Sequence, residues 1–290
     1  HKSRRTAAFG RIGAIFGIAF ILGPALGGML GETDPSRPFL VAGAICAVNF
    51  LYGLLMLPES LAEPARAPFS LARFNPFSSL LALARERSVL PALVVITLYT
   101  LSQSLMQCTW ALYTEFRYGW TPQTIGLSIF VLGASITVTQ GWILPRLAAR
   151  MAPARLVRAG LAVGVAALAG LGLSTDGSGV LALIALFSLT GVVGPTLQSA
   201  VSRTGSTTSQ GVRLGAVSAL NSFTGAVSPV IGTPLLYFTS KNPPDALAAG
   251  MPYLLASLLL VAALAVSAAR PAARPGAETD AESSASTTHM

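Results

Sequence analysis

Apolar residues run through this chain in blocks of about twenty, separated by short polar turns. Eight such blocks stand out, at 12–30, 39–57, 89–112, 125–144, 156–173, 180–201, 214–237 and 246–268. A helix rises about 1.5 Å per residue, so each block reaches across a bilayer core of roughly 30 Å. The turns between the last six are short, which predicts antiparallel neighbours. Two longer polar stretches interrupt the pattern. Residues 58–88 form a basic connector in which Asn75-Pro76 reads as a helix start. Phe74, Phe77, Leu80, Leu81 and Ala84 then share one face, as in a helix lying on a membrane surface; a loosely ordered linker fits the same residues. Residues 270–290 are rich in Ala, Ser, Thr, Pro and acidic residues, have nothing to bury, and read as a disordered tail.

Composition supports the pattern. Hydrophobic residues make up 52% of the chain and charged ones only 10%, a combination that marks a polytopic membrane protein. In a soluble chain the net charge of +8 would point to nucleic acid. Here its distribution points elsewhere. When sides alternate across eight spans, sixteen of the nineteen Lys and Arg fall on one side, and only Arg37, Arg117 and Lys241 on the other. The positive-inside rule then places both termini in the cytoplasm. Cys46 and Cys108 lie inside apolar blocks with no Cys or His partner in sequence, so they read as packing residues. No nucleophile–base pair, metal cluster or cofactor motif occurs, and no enzyme is expected.

The first block carries a specific motif. On a helix, Gly13, Gly17, Pro24, Gly27 or Gly28, and Gly31 fall along one side, giving a face against which another backbone packs closely. The pattern Gly10-x8-Ala19-x3-Gly23-Pro24-x2-Gly27-Gly28 resembles the antiporter motif in the fifth helix of drug:proton antiporters of the major facilitator superfamily, with Ala19 where that family usually has glycine. The resemblance implies a helix at the seam between two six-helix halves. It also implies that the chain starts just before a fifth helix, with four helices preceding it, and His1 in place of an initiator methionine agrees with this.

Along most of the chain the likeness is to the tetracycline efflux group of that superfamily. It rests on Leu57-Pro58-Glu59-Ser60, Asn75-Pro76-Phe77, Trp110 with Glu115 and Arg117, Trp120-x4-Ile125-Gly126, Gly194-Pro195-x-Leu197-Gln198, Ser202-Arg203, and Gln210-Gly211-x3-Gly215-x3-Ala219-Leu220-x-Ser222, all in order. Two positions depart. The histidine that tetracycline exporters carry in the eighth helix falls at Ile136, and the aspartate of their ninth helix at Gly164.

The expected architecture is therefore an all-α facilitator fold: the last two helices of its first bundle (1–57), the connector (58–88), the six-helix second bundle (89–269) and the tail. The implied function is export of a small amphipathic, drug-like compound across the inner membrane by alternating access, with protons as coupling ion. Two other readings stay open: export of a sugar or metabolite within the same superfamily, and a truncated remnant that inserts without transporting.

Candidate substrate contacts are neutral, since no charge interrupts the centres of the blocks. Gln103, Gln107 and Trp110 follow an i, i+4, i+7 line that Tyr99 and Thr114 extend. The resemblance puts this helix, and the one carrying Thr196 and Gln198, beside the central cavity. Gln140 serves either a ligand or helix packing. Gly141-x3-Pro145-Arg146-x3-Arg150 resembles a degraded form of the loop motif at the cytoplasmic gate, and a plain solvated basic loop is the alternative. Gly194-Pro195 predicts a kink that frees a carbonyl.

Overall fold

The computed structural model describes residues 36–58, 89–203 and 210–269, with scattered residues between 19 and 34. Its helices are α1 (Arg37–Met56), α2 (Leu90–Tyr118), α3 (Pro122–Val138), α4 (Leu144–Arg150), α5 (Pro153–Leu173), α6 (Val180–Ser188), α7 (Val193–Arg203), α8 (Gln210–Thr239) and α9 (Met251–Ala268). A π-helical turn, Thr139–Ile143, joins α3 to α4, and a 3₁₀ turn, Leu189–Val192, joins α6 to α7. Each pair is one interrupted rod. Among the described residues seven rods are long and apolar enough to cross a membrane.

The expected blocks appear with modest shifts. The largest are six residues each: the α3–α4 rod runs on to Arg150, and α2 continues past the expected end at Leu112. Thr114 and Arg117 in that last turn are buried, so packing extends the helix where hydropathy falls. Most of block 12–30 lies outside the described residues, as do the connector's expected surface helix and the tail. Ala19, Leu22, Gly23, Leu26, Gly27, Met29 and Leu30 are described and helical.

Six rods form a bundle in which α2 lies between α8 and α9, α9 lies between α2 and α5, and α3 and α5 both flank α6. Hydroxyls pin α9 from both sides: Ser102 donates to the Ala256 carbonyl at 2.8 Å, and Ser257 to the Val165 carbonyl at 3.0 Å. Small residues set the tightest approach. A Cβ at Gly160 would lie 2.6 Å from Val193, and one at Gly164 would lie 2.7 Å from Thr190, so two glycines one turn apart on α5 seat the 3₁₀ turn and the start of α7. By contrast, none of the residues of α1 is buried.

Candidate functional site

Two prolines organise the middle of the bundle. Proline has no N–H, and its ring presses on the carbonyl four residues earlier. For Pro145 that carbonyl belongs to Gly141, and for Pro195 to Gly191. The rods deform one turn before each proline, the first loosening into the π turn and the second tightening into the 3₁₀ turn. The two deformed turns face each other. Near the kink expected at Gly194-Pro195 the helix changes to a 3₁₀ turn at Leu189–Val192, one turn before the proline, where its ring meets the preceding backbone.

Side chains from three rods satisfy the exposed backbone. The Gln140 amide reaches the Gly191 carbonyl at 3.5 Å. The Thr190 carbonyl accepts from the Val193 N–H and from the Tyr99 hydroxyl, the latter at 3.1 Å. Gln103 Nε2 donates to Thr190 Oγ1 at 3.2 Å and to Tyr99 Oη at 2.9 Å. Thr139 Oγ1 lies 3.4 Å from Ser188 Oγ. The result is a belt of amides and hydroxyls near the middle of α2 and of the α6–α7 rod. Among the described residues it holds no carboxylate, imidazole or amine.

Of the six candidate contacts, Gln103 and Gln140 meet at this belt, joined by Tyr99 from the extension of the α2 line; the other four do not. Gln107 is exposed on α2. Trp110 points into the bundle, donating from Nε1 to Ser128 Oγ at 2.9 Å and standing edge-on to Trp120 and Tyr253. Thr196 is half-buried one turn past the break and donates to the Val192 carbonyl, and Gln198 is exposed on α7. The i, i+4, i+7 line on α2 therefore divides, because α2 turns one flank to its neighbours and the other outward.

The position where tetracycline exporters carry an aspartate is filled by packing. A Cβ at Gly164 would lie 2.6 Å from a Leu260 methyl group as well as close to Thr190, so a carboxylate there would have to displace both side chains. Ile136 is half-buried on α3. Of the antiporter motif, Gly10, Pro24 and Gly28 lie outside the described residues. Ala19 is exposed, and a Cβ on Gly23 or Gly27 would meet no described atom within 4 Å. In the basic loop, Gly141 sits in the π turn, the Arg146 guanidinium stacks 3.9 Å from the Trp142 ring, and Arg150 is exposed.

The residue that sequence reasoning undervalued is Arg117. It lies at the end of the bundle opposite the Arg146–Arg158 cluster, only 4% exposed. Its guanidinium donates to the backbone carbonyls of Gly172, Ser174, Pro244 and Ala246, tying α2 to two separate turns. Tyr113 and Tyr118 reinforce the same junction, each donating to the Leu171 carbonyl at 3.0 Å. In the adjoining turn, hydrogen bonds from the Ser178 hydroxyl and then its backbone N–H hold the exposed Asp176 carboxyl below its usual range.

Residues 1–233 match the sequence profile of the Major Facilitator Superfamily. The chain belongs to this superfamily. A facilitator sequence similar to it is the class C tetracycline resistance protein of Escherichia coli, 31% identical over 232 residues, covering 79% of this chain and 58% of that protein. The class D tetracycline resistance protein of Salmonella ordonez is 29% identical over 229 residues, covering 79% and 57%. The human hippocampus abundant transcript 1 protein is 25% identical over 236 residues, covering 79% and 48%. The chain thus spans less than two thirds of the length of these relatives. Among solved structures, the human organic anion transporter MFSD10 shares the fold, with a TM-score of 0.69, 24% identity, and coverage of 89% of this chain and 62% of that one. The protein is a multi-pass membrane protein of facilitator type.

Proposed function

We propose that this chain supplies the second bundle, and the closing helices of the first, of an exporter for small amphipathic, drug-like compounds. The observation that carries the reading is the apposition of two broken rods at mid-span, with Gln103 and Gln140 beside the breaks. Transporters of this kind bind at the midplane, where helices are discontinuous and their polar groups are available to a ligand. π turns inside helices recur at functional sites for the same reason.

The chemistry of the belt defines what it can hold. Amides and hydroxyls donate and accept hydrogen bonds without asking the ligand to carry a charge, which suits a flat, uncharged or zwitterionic amphiphile. Gln107, Thr196 and Gln198 extend the polar surface away from the belt. A ligand that takes the Gln140 amide leaves the Gly191 carbonyl without that donor, so binding and the state of the break are coupled. The two bundles then rock about this level, opening it to one side at a time.

In this reading the arginine-rich end faces the cytoplasm, the membrane is the inner membrane, and protons drive export. The titrating group belongs elsewhere in the carrier, because glutamine, threonine and tyrosine at this belt do not change charge near neutral pH. Glu115 is exposed near the opposite end of α2.

The test uses the complete reading frame in which these residues lie, in everted membrane vesicles energised by respiration. Addition of tetracycline or a fluorescent amphiphile should draw compound into the vesicles and partly dissipate the proton gradient. Gln103→Ala should raise the half-saturating concentration, while Glu115→Gln leaves proton movement intact. Absence of compound uptake across a panel of amphiphiles would defeat the proposal.

A further inference from the structure

At the basic end of the bundle a groove of about 570 Å³ opens between α4, the start of α5 and α7. That volume lies within the range of about 300–1,000 Å³ typical of small-ligand sites. Its walls are largely aliphatic, formed by Leu144, Ala148, Met151, Pro153, Leu156 and Pro195 among others. The lining residues Met151 and Pro153 belong to the tight turn where Met151 N–H donates to the Leu147 carbonyl and Leu156 N–H to that of Ala152. This turn fixes the mouth of the groove.

Arginines adjoin the lining residues along the chain. Arg150 immediately precedes Met151, Arg155 lies between the lining residues Pro153 and Leu156, and both side chains are exposed. Arg146 stacks on Trp142 one turn earlier, and Arg158 donates to the Ala154 carbonyl one turn later. Nothing in these elements offsets the charge, since no acidic residue occurs between Glu115 and Asp176. Among the described residues the acidic side chains are Asp34, Glu115, Asp176 and Asp245, none of them on α4, α5 or α7.

A largely aliphatic slot beside exposed arginines, at the end of the bundle where those arginines cluster, fits a ligand with an apolar chain and an anionic head. We infer that this groove binds an anionic phospholipid of the adjacent leaflet, one acyl chain lying along Leu144, Ala148 and Leu156 and the phosphate at Arg150 and Arg155. Clustered basic residues near an anionic membrane surface attract it individually, and pockets between helices at this level recognise headgroups. The inner end of the slot reaches Pro195 and Thr196, one turn past the break, while the arginines that mark its anionic partner lie at the opposite, outer end, away from Gln103 and Gln140.

The test is native mass spectrometry of the purified 290-residue chain in mild detergent, with dioleoylphosphatidylglycerol or dioleoylphosphatidylcholine added at equal mole fraction. The wild-type chain should retain the anionic lipid about tenfold more than the zwitterionic one. Arg150→Gln with Arg155→Gln should abolish that preference, while Lys241→Gln, at the opposite end, preserves it. Ala148→Phe, which fills the slot, should lower retention of both lipids. Helical content by circular dichroism shows that each variant is folded; should Ala148→Phe fail this check, the exposed arginine pair decides alone. Equal retention of the two lipids by the wild-type chain, or an undiminished preference in the double variant, would overturn the inference. Displacement of the bound lipid by tetracycline at stoichiometric concentration would also overturn it, making the groove part of the substrate route.

Discussion

The side-chain amide of Gln103 donates to the hydroxyl of Thr190 at 3.2 Å, linking the middle of α2 to the 3₁₀ turn of the α6–α7 rod. The same threonine turns its methyl group toward Gly164 of α5. One small side chain therefore joins three rods at the level where one of them is broken.

Thr190→Val keeps the methyl contact and removes the hydroxyl. Interhelical hydrogen bonds in membranes average about 0.6 kcal/mol, so stability should fall by about that amount. The released Gln103 amide should alter ligand affinity more than it alters stability. Reversible unfolding in mixed micelles, set beside a ligand titration of the same preparation, measures both.

The tightest backbone approach in the bundle is at Gly250, where an added Cβ would collide with the Gly172 backbone. Backbone on both sides cannot yield as a flexible side chain does. Gly250→Ala should cost about 1–3 kcal/mol or more, the range for overpacking. Gly225→Ala is the control: a Cβ there meets no described atom within 4 Å, and alanine is the better helix former by about 1 kcal/mol. Thermal unfolding in detergent should separate the two variants clearly, with Gly225→Ala at or above the wild-type midpoint.

Arg117 is the cation that holds the far-end turns. Arg117→Gln leaves the carbonyls of Gly172, Ser174, Pro244 and Ala246 without their shared donor, and the buried one, Gly172, costs about 1–3 kcal/mol if left unmet, the others being open to water. Hydrogen exchange should rise in residues 172–178 and 240–248 while α3 and α4 remain protected. A uniform rise across the whole bundle would show that Arg117 stabilises the fold at large and not these turns.

The proposed orientation is open to a direct assay. In a background lacking Cys46 and Cys108, an impermeant thiol reagent applied to intact cells should label Ser178→Cys and miss Ser70→Cys in the connector. Ser178 is exposed in the turn before α6. Labelling at position 70 alone would reverse the topology.

Hydropathy made seven of the rods legible, because crossing a bilayer demands length and apolarity that few other structures share. The breaks were written in the sequence too, as Gly141-x3-Pro145 and Gly191-x3-Pro195, yet only the second was read as a kink. Spacing alone does not decide the matter. Gly225-x3-Pro229 repeats it within α8, which stays helical from Gln210 to Thr239. A proline marks a weak turn, and the neighbours brought by the fold determine what becomes of it. The same limit explains Trp110. Periodicity placed it on a line with Gln103 and Gln107, but its burial depends on Ser128, Trp120 and Tyr253, and the arrival of those partners is a tertiary fact. Arg117 was visible as a charge at a helix end, whereas its four carbonyl partners come from two turns distant in sequence.

The central claim is that the belt between the broken rods holds the exported compound. The most direct measurement is a fluorescence titration of the purified protein with an amphipathic drug, comparing wild type with Gln103→Ala, Gln140→Ala and Ser240→Ala. Loss of one ligand hydrogen bond should weaken binding by about three- to tenfold in each glutamine variant. Ser240→Ala, at the far-end turn after α8, should bind as wild type. Unchanged affinity in both glutamine variants, with their folds intact, would contradict the account and move the binding surface away from the breaks.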